Sequence, residues 1–217
     1  MAEDLLSAEE CQAYVEAMIA LYPQSDSDLD YHNHFELLCA VMLSAQTTDK
    51  AVNKVTPALF KAYPTPEDMQ KASPEAIADK IKTIGLYRNK AKFLQATAES
   101  LVNDFSGQVP DNLTDLTSLP GVGRKTANVV LGVGFSQASF PVDTHIARVT
   151  KRFNMVPESA NPNKIEKIMT EKLPENMWRQ AHLSILHFGR YQCVARKHDH
   201  QECLDRLHAV MAKQQEN

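Results

Sequence analysis

Apolar residues recur along this chain at the three- and four-residue spacing of a helix surface, and no run alternates convincingly in the manner of a strand. The pattern starts early. Ser7-Ala8-Glu9-Glu10 supplies the serine and the glutamate of a capping box, and Cys11, Tyr14, Val15, Met18 and Ile19 follow on one face. Thr65-Pro66, Ser73-Pro74 and Asn161-Pro162 each set a capping side chain before a proline at the first helical position. The same periodicity predicts helices at about 34–45, 49–62, 87–105, 124–135, 144–153, 163–172, 176–191 and 202–214. The fold class is therefore all-α.

Between these elements, residues 22–33 form a polar, acidic connection that suits a link from an N-terminal helix into a central helical lobe. Phe135 to Pro141 suits a second boundary. The longest apolar stretch, Leu37 to Leu43, is far too short to span a bilayer and reads as a buried helix. With 217 residues, the chain can fill one large domain or two small lobes around a real core. No basic residue precedes an apolar segment at the N-terminus, which argues against a secretory signal and for a cytoplasmic location.

Net charge, −4, argues at first against a polyanionic partner. Its distribution argues otherwise. Ten of the 27 acids precede Lys50, and every one of the 23 Lys and Arg residues lies at or after it, which leaves the later segment at +6. Such asymmetry fits a polyanion on one face, and equally fits two solvated sets of helix faces. Cys11 and Cys39 fall within apolar-periodic helices and read as small core residues.

Chemistry enters at residues 116–127. The chain has seven glycines, and four of them, Gly121, Gly123, Gly132 and Gly134, fall within fourteen residues. Leu116 and Leu119 end a short helix, Pro120 and two glycines make a tight turn, and Arg124 starts the next helix. A glycine turn lets backbone approach a phosphate closely, and the new helix offers N–H donors and the positive end of its dipole. A bare Gly-x-Gly is only a connector. Leu-Pro before it and Arg-Lys-Thr-Ala after it favour phosphate binding.

Leu119 to Asn128 resembles the hairpin of the endonuclease III family of helix-hairpin-helix DNA glycosylases. Leu43-Ser44-Ala45-Gln46-Thr47-Thr48-Asp49, Ile84-Gly85-Leu86-Tyr87, Val142-Asp143-Thr144-His145 and Gly189-Arg190-Tyr191 resemble other family segments in the same order, so the likeness runs through nearly the whole chain. It implies two helical lobes with a DNA-binding cleft between them. One is a central lobe at 25–137 that holds the helix-hairpin-helix at about 112–136. The other joins 1–24 to 138–217. The implied activity is a bifunctional DNA glycosylase and abasic-site lyase of base-excision repair. Its expected partner is damaged double-stranded DNA, oxidised pyrimidines being the family's usual lesions. A nucleoid-associated monomer with no membrane contact is expected.

By the same resemblance Lys125 is the nucleophile and Asp143 the second catalytic group. An amine attacks only when unprotonated, a form favoured by burial and nearby positive charge. Lys125 follows Arg124 and falls in a first helical turn, where the dipole disfavours its cation. A carboxylate can stabilise the positive charge that develops as a base departs. Considered alone, Lys125 is a solvated lysine and Asp143 a helix N-cap. Gln46 and Leu86 are the family's candidates for filling the space left by an extruded base, the ordinary readings being a surface glutamine and a core leucine. Gly121, Val122, Gly123, Arg124, Thr126 and His145 complete the expected DNA contacts. Two rivals are a mispair glycosylase without lyase chemistry, whose branch lacks a lysine at this position, and a non-catalytic DNA-binding module. Lys125 argues against the first, and retention of Lys125 and Asp143 together argues against the second.

The chain departs from the family near its end. Most members hold a [4Fe–4S] cluster with cysteines spaced Cys-x6-Cys-x2-Cys-x5-Cys. Counted from Cys193 these positions are Cys193, His200, Cys203 and Ala209, so four thiolates are not available. The reading adopted is a remnant loop at 193–209 with no cofactor, held by helix packing. Its rival is a zinc site at Cys193, His200, Cys203 and His208, with His198 as a spare donor.

Overall fold

A computed structural model describes residues 5–23 and 27–215. Twelve α-helices and one 3₁₀ turn make up its regular structure, and among the described residues there is no strand. The helices are α1 (Ala8–Leu21), α2 (His34–Ser44), α3 (Asp49–Ala62), α4 (Pro66–Gln70), α5 (Pro74–Lys80), α6 (Tyr87–Phe105), α7 (Leu113–Ser118), α8 (Arg124–Gly134), α9 (Thr144–Arg152), α10 (Pro162–Lys172), α11 (Trp178–Tyr191) and α12 (His200–Gln215). The all-α reading holds. Two elements differ from expectation. The helix expected from 176 opens with a 3₁₀ turn at Glu175–Met177, and α12 begins at His200 instead of 202, which draws a potential metal donor into its first turn.

The described residues fall into two compact units, one within Met1–Asp26 and Gln137–Asn217, the other Ser27–Ser136. The linker position at 24–25, where the sequence suggests a boundary, lies outside the described residues. Within Ser27–Ser136 the core is built around α2, in which every residue from Phe35 to Leu43 is buried. A helix apolar on all sides must be covered on all sides. Here α3, α6 and α8 cover it, and α4 and α5 lie along α6. In the other unit α1 packs on α10, α11 and α12, and α9 packs on α11, around Met18, Phe140, Ile146, Phe153 and Phe188. Cys11 and Cys39 are core residues, and burial pushes the Cys11 thiol up to about 11.

The helix starts follow the sequence signals. Ser7 closes a full capping box with Glu10, and Asn33, Thr48, Thr65, Ser73, Asn112, Asp143 and Asn161 each accept a bond from a first-turn N–H. Leu86 and Gly123, which precede α6 and α8, offer no side-chain cap. Both lie in segments that the sequence associates with DNA.

Because α2 is the axis of its unit, its core is the sensitive place to cut. Leu38→Ala removes a fully buried side chain. It is expected to lower unfolding stability by about 2–5 kcal/mol, read from the urea midpoint at unchanged slope. A loss under about 1 kcal/mol contradicts the central place given to α2.

Candidate active site

The hairpin joins α7 to α8 through Leu119, Pro120, Gly121, Val122 and Gly123. The Val122 N–H bonds the Leu119 carbonyl at 3.1 Å and closes the turn. Gly121 has φ +76, a left-handed conformation, and a Cβ there would meet the Phe93 ring at 2.7 Å. Gly121 is therefore required by the fold itself. Gly123 is different. It is extended, it is exposed, and a Cβ on it would meet nothing within 4 Å. The open space beside Gly123 faces the start of α8, where the uncapped first turn carries Arg124 and Lys125, both exposed, and Thr126, half-buried. The Val122 side chain is buried in the core, so only its backbone is available to a partner.

Lys125 stands at the second position of α8, next to Arg124 and at the positive end of the helix dipole, as expected. Lys125 is exposed, in keeping with the ordinary reading of it as a solvated lysine.

Gln46 and Leu86 share an unusual backbone. Gln46 has φ 55 and Leu86 has φ 58, both in the left-handed region that side chains other than glycine seldom adopt. Leu86 is not a core leucine, since 58 % of it is exposed. Backbone strain of this kind clusters at functional sites.

The sequence reading misses the residue that holds these two segments. Lys90, one turn into α6, is buried, and its Nζ donates to the Leu43 carbonyl at 2.9 Å and to Thr47 Oγ1 at 2.7 Å. It thereby fixes the Gln46 loop to the helix that Leu86 begins. Burial pushes the Lys90 ammonium below the ordinary lysine range. A signal was present in the sequence: Lys90 is in helical register with the buried positions Leu94, Thr97 and Leu101. Farther along the same face, Thr97 Oγ1 donates to the Pro120 carbonyl at 2.6 Å and ties the hairpin to α6.

In the other unit, Asp143 caps α9. Its Oδ1 accepts the N–H groups of His145 and Ile146, both at 2.8 Å, while Oδ2 accepts no hydrogen bond among the described residues. Asp143 is half-buried, rigidly held and has one oxygen to spare. His145 Nδ1 lies 3.2 Å from an Arg148 guanidinium nitrogen, which also donates to the Gly189 carbonyl at 2.7 Å. His145 is thus built into the packing of α9 on α11.

The C-terminal donors are not assembled as the sequence suggested. His208 pairs with the Tyr14 hydroxyl at 2.8 Å. Its place is taken by His198, so that Cys193, His198, His200 and Cys203 bring ligand atoms within 4.8 Å of one another. The loop expected to be a leftover is a candidate metal centre.

These features define a helix-hairpin-helix protein of DNA base excision. Residues 39–175 match the family described as HhH-GPD superfamily base excision DNA repair protein. The chain is 40% identical over 199 residues to endonuclease III of Bacillus subtilis (strain 168), across 92% of this chain and 91% of that protein. It is similar in structure to a trapped covalent endonuclease III–DNA intermediate, an estranged-adenine complex, with TM-score 0.86 and 40% identity over 89% of this chain and 91% of the other. A non-covalent endonuclease III–DNA complex gives TM-score 0.89 and 37% identity over 98% and 100%. The chain belongs to the endonuclease III family of DNA glycosylases and abasic-site lyases.

The two hairpin glycines should separate folding from binding. Gly121→Val forces a β-branched residue into positive φ against Phe93 and is expected to lower the melting temperature by several degrees. Gly123→Val meets no neighbour within the chain and is expected to leave the melting temperature unchanged while weakening binding to all duplexes alike. Calorimetry and fluorescence anisotropy on both variants check this. Normal DNA affinity of Gly123→Val removes Gly123 from the phosphate contact.

Proposed function

We propose that this protein excises damaged bases, oxidised pyrimidines foremost, from duplex DNA and then cleaves the strand on the 3′ side of the abasic site. It acts where chromosomal DNA lies, in the cytoplasm at the nucleoid. The observation that carries the reading is the hairpin. An exposed lysine stands in the uncapped first turn of a helix whose preceding glycine leaves open space.

The hairpin amides and helix dipole hold a backbone phosphate and fix position without reading sequence. Unprotonated Lys125 Nζ attacks the sugar C1′, a C–N bond forms, and the glycosidic bond breaks with its electron pair leaving on the base. The new C1′ ammonium gives up one proton, and the C1′–O4′ bond then breaks with O4′ taking a proton, which opens the sugar and leaves the C1′ iminium. Loss of a proton from C2′ then expels the 3′ phosphate by β-elimination, and hydrolysis of the imine returns the amine. The free Oδ2 of Asp143 stabilises the cation that develops at the sugar and is available to move protons. Leu86 enters the base stack as an apolar wedge, and the Gln46 amide offers donors and acceptors to the base left without a partner. None of these steps uses an iron–sulfur cluster. Of the four family ligand positions, two are not cysteine and Ala209 carries no donor, so this member works without [4Fe–4S].

Borohydride trapping tests the chemistry. Wild-type protein is expected to link covalently to abasic-site duplex, and Lys125→Ala to give no adduct while still binding that duplex. An adduct at normal yield from Lys125→Ala refutes the nucleophile. A wild-type protein that binds but never traps is instead a binding module or a glycosylase without lyase chemistry.

Two Asp143 variants divide the cap from the catalyst. Asn is as good an N-cap as Asp, so Asp143→Asn is expected to keep the melting temperature and lose base excision by about 10²–10³-fold. Asp143→Ala is expected to lose the same activity and, in addition, about 1 kcal/mol of stability. Near-normal turnover by Asp143→Asn, in single-turnover assays, rules out the catalytic role.

A further inference from the structure

We propose that Cys193, His198, His200 and Cys203 form a tetrahedral site for a single divalent ion of the zinc type, and that it locks the end of α11 to the start of α12. Their donor atoms lie within 4.8 Å of one another, Cys193 and Cys203 are buried, and both histidines are half-buried. Zinc at about 2.3 Å from sulfur and 2.0–2.1 Å from nitrogen sets its donors about 3.3–3.8 Å apart. Closing this set on one ion takes side-chain shifts of about an ångström.

The second observation is His198. Its Nδ1 lies 3.0 Å from the Arg196 carbonyl, to which it donates, so its Nε2 is the bare lone pair. That Nε2 is buried and has no hydrogen-bond partner. A buried acceptor left unmatched costs free energy that a bound cation removes. An imidazole whose far N–H is fixed by a carbonyl is also the arrangement that orients metal-binding histidines. His200 Nδ1 lies 3.9 Å from Cys193 Sγ on the other side of the group.

The loop backbone is braced from α9. Arg148 donates to the Cys193 carbonyl, and Arg152 donates to the Val194 carbonyl at 2.8 Å and lies 3.5 Å from Cys193 Sγ. Carbonyls turned toward the arginines leave the donor side chains free to converge. An arginine N–H beside the sulfur is the kind of outer contact that supports a metal thiolate.

Two thiolates and two imidazoles in tetrahedral array suit zinc and exclude calcium and magnesium, which take oxygen. A [4Fe–4S] cube does not fit this donor set. It binds one thiolate on each of four separate irons, whereas these donors converge on one point and half are nitrogen. The ion would be structural, since four protein donors close the tetrahedron and leave no position for substrate.

The test uses the full chain. Metal content of protein purified under reducing conditions is measured by plasma mass spectrometry. Metal-stripped protein is then titrated with Co²⁺, followed by Zn²⁺. The expected results are one zinc per chain, visible ligand-field bands of tetrahedral cobalt saturating at one equivalent and bleached by zinc, and a lower melting temperature for the stripped protein. His198→Ala is expected to weaken cobalt binding by more than the roughly 10–100-fold typical of a lost outer-shell partner, and His208→Ala to leave it unchanged. Wild-type protein answers the question even if His198→Ala does not fold. Substoichiometric zinc with no cobalt bands overturns the proposal. So do a Cys193–Cys203 disulfide in reduced preparations, iron with inorganic sulfide, or equal losses from His198→Ala and His208→Ala.

Discussion

The buried ammonium of Lys90 is the contact on which the joining of the Gln46 loop to α6 in the Ser27–Ser136 unit depends. A cation is costly to bury unless its donors are satisfied, and here they meet two oxygens at the frayed end of α2. The Leu43 carbonyl is one of the four that a helix leaves unbonded at its C-terminus, where the dipole also favours a positive charge. One side chain thereby caps α2, orders the turn that carries Gln46 and anchors both to α6. Lys90, Phe93 and Thr97 lie within an arc of about 60° on that helix. Leu86 precedes its first turn, Lys90 holds the Gln46 loop, Phe93 covers Gly121, and Thr97 grips Pro120. The geometry between wedge, loop and hairpin is the rise of one rigid helix.

Such an anchor is needed because the segments it holds are not comfortable by themselves. Gln46 and Leu86 occupy left-handed backbone, and Leu86 also leaves a large apolar side chain in water. Strain of this kind costs of order 1–3 kcal/mol at each residue and persists only where the surroundings over-determine it. Lys90 and the core around α2 are that surrounding. Neither residue is in its lowest-energy local state, and the insertion proposed above would recover part of that cost. A wedge that were relaxed and buried would have to be unfolded before use.

Helices and their starts were legible in the sequence because they are local. The capping box at Ser7, the Thr65, Ser73 and Asn161 caps, and the all-apolar run of α2 each depend on neighbours a few residues away. The roles given to Lys125, Asp143 and the hairpin came from resemblance alone, while the hairpin turn before α8 and the Asp143 cap of α9 were local features that the sequence offered and the structure contains. What the sequence concealed depends on distant neighbours. Lys90 and Leu43 are 47 residues apart, and no periodicity announces which carbonyl a buried lysine will meet. The metal donors show the same limit. Spacing alone favoured His208 because it lies close to the expected ligand position. Its partner is Tyr14, 194 residues away, while His198 bends back through a short turn at Arg196. For Lys125 the first-turn dipole and the adjacent Arg124 are local and legible, whereas its exposure depends on what covers the hairpin.

That last difference bears on how the chemistry is controlled. Asp143 is fixed before any substrate arrives, by two backbone N–H groups on one oxygen, in the unit where α9 is locked to α11 through Arg148. Lys125 is exposed, on a flexible side chain. A preorganised carboxylate gives electrostatic stabilisation without reorganisation cost, which is the property wanted of the group that faces a developing cation. A nucleophilic amine needs the opposite. Held permanently in a dry pocket it would be unprotonated and reactive toward any carbonyl compound that reached it. In the mechanism proposed above, docked DNA would displace water from around Lys125 and bring the sugar to it at the same time, so the conditions that favour attack would arrive with the substrate. The two hairpin glycines divide in the same way, since the Cβ position of Gly121 is closed by Phe93 while that of Gly123, beside the lysine, is open.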